Sequence, residues 1–317
     1  MLLRNITKKI NSYSGKPLRL FYKKVGLTIF IKKLIALIYF GFSKEITLKN
    51  GLKLTLEEDD DYELRVNYLS DILNDNFETQ KINLIKQVLF PGDKFIDIGC
   101  SFGLFSLIAS EIVGAKGEVH AFDPSSTAIK TLNINSKING FQNIRTHNIA
   151  LGNSDNLIQF FGQNYGGTVI KDNPQYETSV GREIEMKKLD SILSLSDLQN
   201  LKFIKIDAEG AEFEILKGAE NILKNSKDLM ITIELGEMML TAAGSSIEEV
   251  VNFLISLGYN KFIDITHNER ILPIQSSNFM KDLEAGRFGS FFNPQVGFFC
   301  EIAAMKENRY QKIVHEI

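Results

Sequence analysis

Residues 95–103 read Phe-Ile-Asp-Ile-Gly-Cys-Ser-Phe-Gly, and this stretch decides the fold. Phe95 to Ile98 is a short apolar run of the kind buried on both faces of a parallel sheet. Gly99 and Gly103 follow, and Leu104 to Val113 continues as a helical stretch. A strand that turns through glycines into a helix lets the backbone approach a ligand closely and exposes N-terminal amides to it. A glycine pair alone is equally an ordinary tight turn. The next strand, Val119 to Phe122, ends in Asp123-Pro124, about twenty residues on, where a carboxylate can accept hydrogen bonds from both hydroxyls of a ribose. The two features together point to an adenosine-containing cofactor. The loop lacks the middle glycine of G-x-G-x-x-G, which admits a pyrophosphate. A methyl donor without phosphates is therefore favoured over a dinucleotide, its amino-acid part lying against Asp97 and the amides of Gly99, Cys100, Ser101 and Gly103.

Working outward, strands and helices alternate. Glu78 to Leu89 is a helix with Ile82, Ile85 and Leu89 on one side, stopped by Pro91-Gly92, and Ser125 to Asn139 is the helix after the second strand. Further strands are expected at Ile144 to His147, Phe203 to Ile206, Leu229 to Leu235, Lys261 to Thr266 and Val296 to Ala303. Helices are expected at Ala211 to Leu223 and around Ile247 to Ile255, ending at Gly258. The pattern implies an α/β fold with a seven-stranded, mostly parallel sheet. Ahead of it, Ile46 to Leu56 carries Asn50-Gly51, a hairpin signal because both residues tolerate positive φ. The expected organisation is a segment 1–44, a hairpin lead-in 45–77, a catalytic domain 78–305 and a tail 306–317.

Residues 1–44 contain ten lysines and arginines and no acid; the chain holds 36 basic and 39 acidic residues, which leaves 26 bases against all 39 acids in the remainder. Leu27 to Phe42 is mostly apolar but interrupted by Lys32 and Lys33, too short an uncharged run for a bilayer crossing of about 20 residues. It resembles an interfacial or docking helix, and peripheral contact with the inner face of a membrane or packing on protein both explain it. With 317 residues, 44% hydrophobic content and a mean hydropathy of −0.05, the chain has the composition of a soluble globular protein. Cys100 and Cys300 form no ligand pair, so a disulfide framework or zinc site is not expected and a reducing cytoplasm fits.

The sequence resembles the FkbM family of methyltransferases. Asp97-Ile98-Gly99-Cys100-Ser101-Phe102-Gly103 is similar to the family's D-x-G-A-N-x-G, with Cys100 and Ser101 replacing Ala and Asn, and Asp123-Pro124 to its Glu-Pro. Most specific is Ile204-Lys205-Ile206-Asp207-Ala208-Glu209-Gly210-Ala211-Glu212, followed by Leu216-Lys217-Gly218-Ala219, which resembles I-K-I-D-V-E-G-A-E with a downstream L-K-G-A. Leu189-Asp190-Ser191 and Asn139-Gly140 also fit, so the resemblance covers about residues 78–265. It implies a class I methyltransferase, Rossmann-like fold with an antiparallel last strand, S-adenosylmethionine as donor, and oxygen methylation of natural-product or saccharide hydroxyls; taken with the basic, apolar N-terminus, the expected acceptor is a saccharide, glycolipid or secondary metabolite.

The residues agree with that chemistry. Asp207 and Glu209 follow the fourth strand at the carboxyl edge, where ligands bind in open α/β sheets. A carboxylate there can take the proton of an acceptor hydroxyl as the C–O bond forms; Asp207 is the first candidate and Glu209 the second. Both can also cap the helix beginning near Ala211, and a cap and a base can be the same residue. Lys205, flanked by buried isoleucines, points from the other face or edge of its strand, pairs with a nearby acid, and with Glu234 is a candidate for the acceptor site. Glu234 with Asp207 and Glu209 can also hold a divalent cation, but strand-end carboxylates are more often solvated or hydrogen-bonded, and no metal is expected. Asn148, Ile149 and Ala150 stand where an adenine edge can be met, or form a simple turn. Of the histidines, only His147 and His267 fall near strand ends. Phe279, Phe288, Phe291 and Phe292 suit an acceptor lid or packing under a long loop. A small-molecule or glycan acceptor and no nucleic acid are the expected partners. A nicotinamide oxidoreductase and a non-catalytic nucleoside-binding scaffold are the rival readings, the first weakened by the missing glycine and the Asp-Ala-Glu-Gly block, the second supported only by the Cys100-Ser101 departure.

Overall fold

The computed structural model describes residues 45–55, 77–163, 166–171, 180–194, 199–266, 272–275, 291–293 and 297–314. The basic segment 1–44, His267, Phe279 and Phe288 lie outside the described residues.

The centre is a sheet ordered β13-β12-β15-β11-β10-β3-β4-β5. Its parallel strands are β3 (Lys94–Ile98), β4 (Glu118–Phe122), β5 (Ile144–His147), β10 (Leu201–Ile206) and β11 (Met230–Gly236). The long strand β15 (Gly297–Met305) inserts antiparallel between β11 and β12 (Lys261–Asp264). These are the seven expected strands, with the last in sequence antiparallel. Two short strands from the 266–297 region extend the sheet to nine: β13 (Leu272–Gln275) on β12 and β14 (Phe291–Asn293) on β15.

Apolar alternation on these strands splits the core in two. One face carries Phe95, Phe203, Met230 and Ala303 against α1 (Thr79–Val88) and α2 (Leu104–Val113). The other carries Ile96, Ile204, Ile206 and Ile231 against Ile215, Leu223, Val250 and Leu254. Those four come from α5 (Glu212–Gly218), α6 (Glu220–Asn225) and α8 (Ile247–Ser256). Helix α8 starts on the N-cap Ser246, whose Oγ accepts from the amide of Glu249 at 3.2 Å and donates to its carboxylate at 3.0 Å.

The expected single helix Ala211 to Leu223 is broken at Ala219 into α5 and α6. A side chain at Gly218 would stand 1.8 Å from the carbonyl oxygen of Gly152, so the chain bends where it touches this loop. The buried stripe of α1 is Lys81, Leu84, Ile85 and Val88, with Ile82 partly buried at its margin, so a lysine lies on the stripe. The residues read as a tail contain helix α9 (Glu307–Val314), docked by Ile313 and by Arg309, whose guanidinium donates to the Val88 carbonyl at 2.9 Å.

The hairpin forms as β1 (Glu45–Thr47) and β2 (Lys53–Thr55). Only Gly51 takes positive φ, at 91°; Asn50 instead accepts the Leu52 amide on its side chain at 3.3 Å, giving a wider turn. The free edge of β2 is satisfied by α3 (Ser126–Ile138) and its cap. Asn135 and Asn139, one helical turn apart, each donate to and accept from the β2 backbone at 2.7–3.1 Å. Asn135 also donates to the Phe102 carbonyl at 3.0 Å, tying hairpin, helix and glycine turn together.

Between β5 and β10 lies a second sheet ordered β6-β9-β7-β8, built from β6 (Ala150–Leu151), β7 (Asn156–Gln163), β8 (Gly166–Thr168) and β9 (Arg182–Lys187). The sequence reading did not anticipate it. No helix among the described residues is long and apolar enough to cross a membrane.

Candidate functional site

A cavity of about 330 Å³ opens at the carboxyl ends of β3, β4 and β10. One end is bounded by Asp123, Pro124, Ile149, Ala150, Phe160 and Val169, the other by Phe77, Glu78, Phe105, Lys205, Asp207 and Glu209, with the Gly99–Phe102 turn between.

At the first end Asp123 is 6% exposed. Its Oδ2 accepts the Ser101 amide at 2.9 Å and its Oδ1 the Ser125 amide at 2.8 Å. Ser101 makes this bond from a left-handed φ of 50°, in the place of the missing middle glycine. Burial pushes the Asp123 carboxyl up to about 6 despite those two amides. Each oxygen keeps one acceptor position, which suits a pair of ribose hydroxyls beside an apolar slot for a base. The residues present therefore fit an adenosine-containing donor. Asn148 is not on the cavity wall; its Nδ2 donates to the Asp123 carbonyl at 3.0 Å, so it holds the Asp123 backbone. Ala150 is on the wall.

Asp97 is fully buried behind the wall, its Oδ2 accepting from Ser106 Oγ of α2 at 2.6 Å. Its other oxygen faces the Lys205 ammonium at 3.5 Å. Lys205 pairs in register with Asp97 across β3 and β10, is 2% exposed, and also reaches the Gly99 carbonyl at 2.6 Å and Asp207 Oδ2 at 3.3 Å. Burial would lower its pKa, but Asp207 and Asp97 outweigh that and raise it. Cys100 is buried, and burial together with Asp123 and Asp97 pushes its thiol well up, so it packs as an inert group. Gly103, expected at the donor, is off the wall; it has φ of 91° and a side-chain carbon there would press on the Leu132 side chain.

At the other end, burial works to raise Asp207, but the ammoniums of Lys205 and Lys81 hold it below the usual carboxylate range. Glu209 goes the opposite way: burial, then the charges of Asp207 and Glu212, push it up to about 8. The loop ahead of the helix is tied by a third acid. Glu212, at the start of α5, turns back so that its Oε1 accepts the amides of Ala208 at 2.9 Å and Gly210 at 3.2 Å. Glu234 is off the wall, directly across from Glu301 in the β11–β15 pairing, and burial followed by Asp207 raises its carboxyl well up.

Sequence reasoning missed Lys81, Glu78 and Glu301. Lys81 is 1% exposed, forms ion pairs with Glu78 and Glu301, and its Nζ lies 4.9 Å from the centre of the Phe105 ring. Lys205 approaches the same ring at 5.5 Å. The signal was its place on the stripe of Leu84, Ile85 and Val88, where a lysine needs a buried partner. His147 is also off the wall. It meets His120 at 3.2 Å, stacks on Phe122, and is held down to about 4 by burial first and His120 next. Among the described residues no group of three or more His, Cys, Asp or Glu side chains can hold a metal ion.

Comparison with known proteins places the chain. A curated protein of Beauveria bassiana (strain ARSEF 2860), Methyltransferase 1, is 24% identical over 152 residues; the match spans 42% of this chain and 61% of that protein. Among solved structures, an rRNA methylase from Streptococcus thermophilus is 12% identical with a TM-score of 0.39, covering 72% of this chain and 95% of that one. A geranyl diphosphate methyltransferase in complex with SAM is 11% identical with a TM-score of 0.40, covering 83% and 97%. The family model described as the methyltransferase FkbM domain matches residues 97–261. That span is more than half of the chain and includes the Gly99–Gly103 turn, Asp123 and the Asp207–Glu212 block, so the chain belongs to the FkbM methyltransferase domain family, with S-adenosylmethionine as its cofactor.

Proposed function

We propose that the protein transfers a methyl group from S-adenosylmethionine to a hydroxyl oxygen of a saccharide, glycolipid or related secondary metabolite. The observation that carries this reading is the single cavity joining the Asp123 carboxylate at one end to Asp207 and Glu209 at the other. The bound donor supplies an already activated methyl group, so the protein's work is positioning and proton management. Asp123 and the Ser101 turn hold the ribose, and Ile149, Ala150 and Phe160 form the slot for the base. Lys205 keeps Asp207 ionised, and Asp207 orients the acceptor hydroxyl. Glu209, whose proton affinity lies near the working pH, takes the hydroxyl proton as the new bond forms. Glu78 and the Phe77–Phe105 pair line the acceptor end.

The test is methyl transfer from radiolabelled S-adenosylmethionine into a panel of hydroxylated glycans, glycolipids and small metabolites. Label in an ether linkage, reduced about 10²–10⁴-fold in Glu209→Gln as for loss of a general base, supports the reading. Label in nitrogen or carbon only, or full activity in that variant, contradicts it.

The basic, apolar segment 1–44 further supports a cytoplasmic enzyme brought to a lipid-linked acceptor at the membrane's inner face. Co-sedimentation with anionic vesicles that is lost on deleting residues 1–44 is expected; equal recovery in the supernatant with and without vesicles counts against it.

A further inference from the structure

The segment between Asp207 and Glu212 is held in a conformation its own residues do not prefer. Glu209 has φ of 50°, a left-handed geometry that costs a residue with a side chain about 1–2 kcal/mol and persists only where the surroundings enforce it. Three contacts enforce it here. The amides on either side of Glu209, those of Ala208 and Gly210, both donate to Glu212 Oε1 at 2.9 and 3.2 Å. The Glu209 carbonyl accepts from Thr168 Oγ1 of β8 at 3.0 Å. Gly210, at φ of 105°, fits against the Met239 carbonyl, 2.8 Å from where a side-chain carbon would stand. Glu212 is itself 2% exposed, and its Oε2 is buried without a hydrogen-bond partner among the described residues. A carboxyl buried with one oxygen doubly engaged and the other unpaired is a costly way to close a turn. A backbone outlier at a cavity wall is where such a cost is tied to function.

We propose that Glu212 is a positioning residue for Glu209: its Oε1 ties the two flanking amides and so fixes the left-handed turn that presents the Glu209 carboxyl to the cleft. This rests on the reading of Glu209 as the proton acceptor. The tie also brings a second carboxyl beside the first. Glu209 faces Asp207 and Glu212, which favour its protonated form, and Lys205, which opposes them, and burial exceeds all three. Glu212 thus acts on both where the base points and how readily it takes a proton, without touching substrate.

The experiment uses the full-length protein with carboxyl-¹³C glutamate, the Glu209 resonance being assigned as the one missing in Glu209→Gln. In wild type it is expected to titrate near pH 8. E212Q keeps an acceptor oxygen and removes the charge, so the Glu209 midpoint is expected to fall by about one pH unit while the Ala208 and Gly210 amides stay protected from exchange. E212A removes the tie, and those two amides should exchange about ten times faster. An unmoved Glu209 midpoint in E212Q, or unchanged exchange of both amides in E212A, overturns the inference. Should E212A fail to fold, the E212Q midpoint alone decides. None of these readouts needs an acceptor. Full methyl transfer by Glu209→Gln would remove Glu209 as base and leave the measured tie standing, so the two failures are distinguishable.

Discussion

The Asp207 carbonyl packs directly against Gly99: a side-chain carbon at Gly99 would stand 1.8 Å from that oxygen. The amide of Asp207 in turn donates to the Ile98 carbonyl at 3.2 Å. The turn that faces the donor and the loop that carries the acids are therefore interlocked across the ends of β3 and β10, and neither can shift alone.

Gly99→Ala is expected to move both. The residue has φ of +72° and meets backbone rather than a flexible side chain, so the cost exceeds the roughly 1–3 kcal/mol of left-handed strain alone. Urea unfolding should show that loss, together with weakened binding of S-adenosylhomocysteine. Gly140→Ala, just past the end of α3, is the control, because its φ of +74° is similar but nothing lies within 4 Å. It should lose only about 1 kcal/mol and bind the product normally.

Lys205→Met should be more damaging than its volume suggests. It leaves Asp97, fully buried, and Asp207 without their shared cation, and breaking a buried ion pair on one side costs about 3–5 kcal/mol. Denaturant midpoints measure the loss. In the same variant the Asp207 carboxyl should titrate at higher pH than in wild type, because burial would then act with less opposition; carboxyl ¹³C shifts report it.

Stability should fall as pH rises from 6 to 8. Asp123 at about 6, Glu212 at about 7 and Glu209 at about 8 all lie above their unfolded values, with burial the first cause in each. Between the unfolded and folded values the native state binds more protons than the unfolded chain, so the stability of unfolding decreases with pH across this window. Asp207 and the depressed His147 and His120 have the opposite sign, Asp207 acting only in acid and the histidines only up to about 6.5, so the three raised carboxyls outnumber them across the window. The melting temperature of the ligand-free protein should be higher at pH 6 than at pH 8 by about 2 °C or more. Glu209→Gln should reduce the difference.

The order of strands and helices was legible because buried apolar runs end at chain breakers, as at Ile98-Gly99 and Phe122-Asp123-Pro124 after strands and Leu257-Gly258 after a helix. The second sheet was not. Its central strand Arg182–Lys187, with the sequence REIEMK, is polar and largely exposed, and the two-residue Ala150–Leu151 and three-residue Gly166–Thr168 are too short to show a periodic apolar face. At the site, Asp123, Ala150, Asp207 and Glu209 were visible from motif spacing, and all four line the cavity. The placements of Asn148 and Glu234 could not be read, because a strand-end residue points to the cavity or to its neighbour's backbone depending on a rotation the sequence does not encode. Glu212 falls within the motif, but its role is not legible there, since its hold on the Ala208 and Gly210 amides depends on a side chain folding back against the chain direction. Lys81 was hidden for a simpler reason: a lysine on an apolar stripe reads as a helix edge until a buried Glu301 on a distant strand supplies its partner.

The most direct test of the central claim is calorimetric titration of S-adenosylhomocysteine and of NAD into wild type and Asp123→Ala. Product binding is expected in wild type, with weaker binding below about pH 6 where Asp123 takes up a proton, loss of about tenfold or more in the variant, and no heat from NAD. Binding of NAD alone, or product binding indifferent to Asp123, would contradict it.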